Sequence, residues 1–160
     1  MIKRGDRDLS QAAMGWLSST PRRTFVLYPL IVALVEVWLH GGLHIHSAGL
    51  PLLAWGYLQY RLSGEYRTAR GGGGPGIHNP PVRLVTTGIY RFTRNPMYSG
   101  HLIFMLGLAI TFASLFAAAL LVFHLWWFHR RVLEDEKHMQ QLFGLDYIAY
   151  AQRVRRWGVV

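Results

Sequence analysis

The sequence predicts an all-α fold: a polytopic membrane bundle of about four transmembrane helices with cytoplasmic helices at its C-terminal end. Three observations predict it. The apolar residues, 51% of the chain, are gathered into runs, which suits a bilayer better than a globule. All 17 Lys and Arg fall in three blocks, residues 1–23, 61–97 and 130–160, while residues 24–60 and 98–129 hold none. If each bare stretch crosses the membrane and returns, the three basic blocks share one side, and the positive-inside rule makes that side the cytoplasm. Finally, Tyr90, Arg91, Arg94, Asn95, Pro96 and Tyr98 crowd together directly before a long apolar run. Polar groups this dense at the mouth of a membrane segment suggest a site for a charged ligand.

The length of 160 residues fits one domain. A net charge of +9 is compatible with nucleic-acid binding, but its confinement to three blocks argues against that partner. There is no cysteine, which excludes disulfides, thiolate catalysis and Cys-type zinc sites. The basic N-terminus lacks a small-residue cleavage site after a short apolar core, so the first apolar segment is expected to stay in the membrane.

Residues 1–23 are expected to form a cytoplasmic or interfacial lead, with Leu9, Ala13, Trp16 and Leu17 at helical spacing. Residues 24–62 read as a first helical hairpin, crossing over 24–40, looping over 41–50 and returning over 50–62. A re-entrant second segment competes with a full crossing. Residues 63–96 contain four consecutive glycines and several prolines, predicting a cytoplasmic loop from residue 63 onward. Pro96 suits the first turn of a third crossing, and residues 97–129 read as a second hairpin reversing at Ser114. About 20 residues cross a bilayer core upright, so these spans are short and need bilayer thinning or their polar flanks. Residues 130–160 read as cytoplasmic helices. Val132, Leu133, Met139, Leu142 and Phe143 form an apolar stripe, Gly144 a C-cap and Asp146 the N-cap of a second short helix.

Two polar constellations fall on the predicted cytoplasmic side. One is Tyr90, Arg91, Arg94, Asn95 and Tyr98. The other is Arg130, Arg131, Glu134, Asp135 and Glu136, with Tyr147 and Tyr150 beyond. The second hairpin is expected to bring them together. Arginines and tyrosines at helix ends are also ordinary interface anchors. The Asn95-Pro96 helix start, with its free N–H groups and the Arg94 charge beside it, suits an anionic group such as a carboxylate. Glu134 and Glu136 suit an ammonium, a ribose diol or a sulfonium-bearing chain. Glu134 pairs better than Glu136 with Arg130 or Arg131 on a helix, leaving Arg131 and Glu136 free to serve different ligand groups. A solvated charged face reads Asp135 and Lys137 equally well. The GGGGPG run lacks the following Lys-Ser/Thr of a phosphate loop and reads as linker. His40, His44 and His46 have no acid in their loop, so no metal site is expected. Glu36, an acid inside the first crossing, is either functional or a hydrogen-bonding group within the bundle.

The stretch LVTTGIYRFTRNPMYSG resembles the signature L-V-x-x-G-P-Y-R-x-x-R-H-P-x-Y-x-G of the isoprenylcysteine carboxyl methyltransferase and phospholipid N-methyltransferase families. The later run RRVLEDEKHMQQLFGLDYIAYAQRVRRW is similar to its companion motif. The resemblance covers residues 50–157. It implies a small helical membrane bundle that binds S-adenosylmethionine at the cytoplasmic face and methylates a lipophilic or small acceptor. Carried over by position, it implies Tyr90, Arg94, Asn95 and Tyr98 in the cofactor pocket and Val85 and Gly88 against the adenosine part. Glu136 and Tyr150 would close the pocket, and Arg131 would stand near the acceptor. Arg131 and Glu136 are thus the expected catalytic residues. Asn95 stands where the family usually has His, Ile89 where Pro is common, and Arg155 where the companion motif has the Pro of Val-Pro-Arg. Two other readings of the layout are an NADPH-dependent membrane reductase of the steroid-reductase type and a non-catalytic membrane scaffold. The first wants more cations around its phosphates; the second predicts no cofactor binding.

Overall fold

The computed structural model describes residues 19–74 and 81–158, and within them the chain is helical, with no strand. The expected N-terminal helix carrying Leu9 and Trp16 lies outside the described residues. Helix α1 runs Thr20–His40, with Pro21 in its first turn and a π-helical stretch at Arg23–Leu27. It ends where Gly41 turns left-handed at φ 70°. A short 3₁₀ turn, Ser47–Gly49, leads into α2, Leu50–Gly71. Helix α3 is Pro96–Thr111 and α4 is Leu115–Arg153.

Only α1 is both long and apolar enough, among the described residues, to cross a membrane by itself. Just 17% of its most apolar window is buried, and Leu34 and Trp38 point outward at 69% and 82% exposure. An apolar helix that buries so little of itself against protein is suited to lipid. Helix α3 is apolar but has 16 residues, roughly 24 Å of helix. The described chain is therefore an all-α, membrane-associated helical fold with one long apolar helix.

Two expected boundaries are corrected. The helix expected to break at residue 63 continues to Gly71. Ser63 is fully buried there and its carbonyl accepts the Tyr90 hydroxyl at 3.3 Å, so a tertiary contact holds a segment that composition alone gave to a loop. The cytoplasmic helix expected to start after His129 is not separate, because α4 is continuous through it. Its one break is at Gly144, with φ 53° and ψ −125°, a left-handed conformation that glycine adopts at least cost. The reversal at Ser114 stands as expected. Ala113 takes φ 48°, and the Ser114 hydroxyl accepts the Ala117 N–H at 3.1 Å, capping α4.

Helices α2 and α3 share the most extensive interface. A Cβ on Gly56 would strike the backbone of Phe104 and sit 2.7 Å from the Gly100 carbonyl, and one on Gly100 would sit 2.7 Å from the Gly56 carbonyl. The two backbones touch because neither residue has a side chain, as small residues allow where helices pack closely. The core beside this contact is Val32, Phe104, Leu108 and Ala117, joining α1, α3 and α4.

Candidate active site

The segment between α2 and α3 runs from Val85 through the 3₁₀ turn Gly88–Arg91 to Asn95, the residue before Pro96. It is held from both sides. The Tyr90 hydroxyl donates to Ser63 O on α2, and the Tyr150 hydroxyl donates to Tyr90 O at 2.6 Å. The chain after α4 straps across it: Arg94 N–H donates to Arg155 O at 3.0 Å, and the Thr93 hydroxyl donates to Arg156 O at 3.0 Å. Residues about sixty positions apart thus form one rigid rim.

Glu136 is the electrostatic centre. Arg94 grips it through two bonds, Nε to Oε1 and Nη2 to Oε2, each 3.1 Å. Arg156 donates to Oε2 from Nε and Nη2 at 3.0 and 2.9 Å. The Asn95 amide reaches Oε1 at 3.3 Å and Arg156 O at 3.2 Å. Both carboxylate oxygens are therefore occupied by three donor residues from two chain segments. The expected pairing of Glu134 with Arg130 or Arg131 is absent among the described ion pairs; Glu134 is exposed.

Beside this lock lies a cleft. Of the expected site residues, Val85, Tyr90, Arg94, Asn95, Tyr98, Glu136 and Tyr150 line it together. Gly88 and Arg131 do not. Gly88 is at φ 61° on the outer side of the turn, against the Tyr66 ring. Arg131 lies beside the Tyr98 hydroxyl with its guanidinium 6.0 Å from the Trp127 ring. Arg67 and Asp135 also line the cleft: Asp135 belongs to the second constellation but has no assigned ligand role there, and Arg67 is not among the expected site residues. Arg67 was hidden because its helix was expected to have ended. Asp135 is not a solvated residue but accepts the Tyr98 hydroxyl at 2.8 Å. Arg156 was missed although it follows Arg155, where the companion motif ends.

The electrostatics follow from burial. Desolvation pushes the Tyr90 and Tyr147 phenols up to about 12 and raises that of Tyr150, so all three remain neutral donors. Desolvation also raises Asp135 above its ordinary 3.8, opposed by the Tyr98 hydrogen bond, Arg131 and Arg67 and reinforced by Glu134. A carboxyl whose native pKa exceeds its unfolded one favours folding below the unfolded value and loses that contribution as pH rises through the native value. Wild type should therefore lose stability relative to Asp135→Asn as pH climbs upward from about 3.8. Thermal midpoints of the two proteins across pH 4 to 7 check this; a constant difference would refute it.

Two other sequence candidates lie elsewhere. Glu36, on α1, pairs with His40 of its own helix at 3.0 Å rather than reaching across the bundle. Among the described residues no group of three or more His, Asp or Glu could hold a metal ion.

Residues 49–146 match the model of the phospholipid methyltransferase family. Protein-S-isoprenylcysteine O-methyltransferase B of Arabidopsis thaliana is 37% identical over 73 residues, 45% of this chain and 37% of that protein. A probable protein-S-isoprenylcysteine O-methyltransferase of Oryza sativa subsp. indica is 36% identical over 73 residues, 45% and 38% of the two chains. The protein-S-isoprenylcysteine O-methyltransferase of Saccharomyces cerevisiae is 31% identical over 72 residues, 44% and 30%. The alignment thus spans less than two-fifths of the length of these curated relatives. No solved structure matches. Since the family model covers more than half of the chain, including α2, α3 and the Glu136 face of α4, this protein belongs to the phospholipid methyltransferase family.

Proposed function

We propose that this protein is an integral membrane methyltransferase that uses S-adenosylmethionine and methylates a lipophilic or small acceptor at the cytoplasmic face. The observation that carries the reading is the convergence of residues 85–98 with 135–150 on one cleft, in a chain of a methyltransferase family. The donor set fits the methyl donor. The N-terminus of α3, which the Arg94–Glu136 pair and Asn95 hold in place, suits its carboxylate. Asp135 suits its ammonium or sulfonium. Val85, Tyr90 and Tyr150 offer an apolar, aromatic wall to the adenine.

When bound, S-adenosylmethionine supplies a methyl group already activated by its sulfonium, so the protein's task is to position and desolvate. The Arg94–Glu136–Arg156 lock fixes the rim, and the start of α3 fixes Asn95 and Tyr98. Arg131, beside Tyr98, is the residue that the family resemblance puts near the acceptor. The accompanying membrane arrangement is four crossings, α1 to α3 and the first half of α4, with both termini cytoplasmic, in the cell inner membrane. The three basic blocks support that orientation. The names of the family and of the relatives make a phospholipid and an isoprenylated cysteine carboxylate the acceptors to try first.

The deciding experiment is titration of the detergent-solubilised protein with S-adenosylmethionine by calorimetry, followed by incubation of the labelled donor with a membrane lipid extract. Binding and a labelled product are expected. Binding of NADPH in its place, or of neither, would sink the proposal. In the same assay Arg131→Ala should lower turnover by a factor of ~100 or more while donor affinity changes less than a few-fold. Normal turnover at saturation would remove Arg131 from the acceptor side.

A further inference from the structure

Helix α4 presents two opposite faces as it passes the cleft. At 3.6 residues per turn, Asp135, His138 and Met139 share one face and line the cleft. Leu133, Lys137 and Gln140 share the other and line a second groove. The far wall of that groove is the part of α4 after its break at Gly144, through Ile148, Ala151 and Gln152, with Arg156 of the strap beside it. Its volume is about 520 Å³, within the range of small-molecule sites.

The groove has charge and hydrogen-bonding capacity to spare. Arg94, Lys137 and Arg156 border it against one acid, Glu136, an excess of two positive charges. Arg94 is spent: Nε and Nη2 are on Glu136, and Nη1 donates to Ala151 O at 2.7 Å. Arg156 gives Glu136 its Nε and Nη2 and keeps Nη1. Lys137, Gln140 and Gln152 make no hydrogen bond or ion pair with another described residue.

We propose that this groove binds a phosphate monoester, at a site separate from the cleft and with no part in methyl transfer. The inference goes beyond the methyltransferase reading and does not depend on it. A phosphate monoester carries close to two negative charges near neutral pH and has three strong acceptor oxygens. It therefore answers both surplus charges, and the unused donors are an ammonium, a guanidinium nitrogen and two amides, the groups that hold phosphate. A carboxylate would answer one charge only, and an ammonium would be repelled. Leu133, Ile148 and Ala151 give the organic part of the ester an apolar wall. That part belongs either to a lipid or to a soluble metabolite.

The test is calorimetric titration of the full-length protein, in a phosphate-free detergent, with hexyl phosphate, glycerol 3-phosphate and hexanoate. Both phosphates are expected to bind saturably, and hexanoate roughly ten-fold more weakly or worse. Tighter binding of hexyl phosphate assigns a lipid source, and tighter binding of glycerol 3-phosphate a soluble one. Lys137→Gln should weaken both phosphates by roughly ten-fold or more, and Lys137→Arg should retain them. Lys137 is exposed, so the unfolding midpoint should stay where it is in both variants. Arg153→Gln, which removes the same charge outside the groove, should leave binding unchanged. Saturating S-adenosylmethionine should not displace hexyl phosphate. Absence of phosphate binding, equal affinity for hexanoate, equal loss in Lys137→Gln and Arg153→Gln, or displacement by S-adenosylmethionine overturns the proposal. Phosphate binding in a protein that does not bind S-adenosylmethionine would sink the methyltransferase reading and leave the groove standing.

Discussion

Glu136→Gln should destabilise the protein by about 3 kcal/mol, measured by thermal or denaturant unfolding in detergent. The side chains of Glu136 and Arg94 are only 12% and 10% exposed. An amide at this position removes the negative charge and leaves the Arg94 guanidinium buried without its counter-ion, and removing one partner of a buried pair costs more than the pair was worth. Arg156 is less sensitive. Its side chain is 34% exposed, so water screens what Glu136 loses, and Arg156→Ala should cost about 1 kcal/mol. The order of the two variants is the sharp part of the prediction. If Arg156→Ala proved the more damaging, Glu136 would not be the centre of the junction. Glu136→Gln should also weaken donor binding, because Arg94, Asn95 and the strap through Arg155 and Arg156 are registered on that carboxylate. Both of its oxygens accept from Arg94, Asn95 and Arg156, so the carboxylate holds the rim of the cleft together.

Gly56→Ala is expected to cost about 3 kcal/mol, at the upper end for overpacking, and larger side chains should prevent folding. The atoms that an added Cβ would meet are the backbone of Phe104 and Gly100, which cannot rotate away as a side chain could. Helix α2 would have to move off α3, opening the largest interface in the bundle. Gly64→Ala on the same helix is the control. Its Cβ would meet only Met97 Cε at 3.5 Å, ordinary contact, and alanine is the better helix former by up to ~1 kcal/mol. Gly64→Ala should therefore leave the unfolding midpoint unchanged or raise it. Equal loss in both variants would mean that helix flexibility, not close approach, is what Gly56 provides.

These outcomes depend on contacts of very different legibility. The turn at Ser114 and the break at Gly144 could be read locally, because a hydroxyl before an apolar run and a glycine after one act on their own neighbours. The convergence of Arg94 with Glu136 was legible as well, since the sequence allowed only a short reversal between α3 and α4. The continuation of α2 past residue 63 was not. Its reasons are Tyr90 on Ser63, 27 residues later, and Val85 packed against Gly71, and glycine-rich composition pointed the other way.

The sequence by itself determined the family, the grouping of the cations into three blocks, the apolar α1 and the two segments that meet at the cleft. These are properties of composition, order and short-range spacing. Only the tertiary structure decided that Asp135 faces inward, that Arg156 shares Glu136 with Arg94, and that Lys137 borders a second groove. Each of those depends on which face of a helix meets which neighbour, a matter of long-range packing on which helical periodicity is silent.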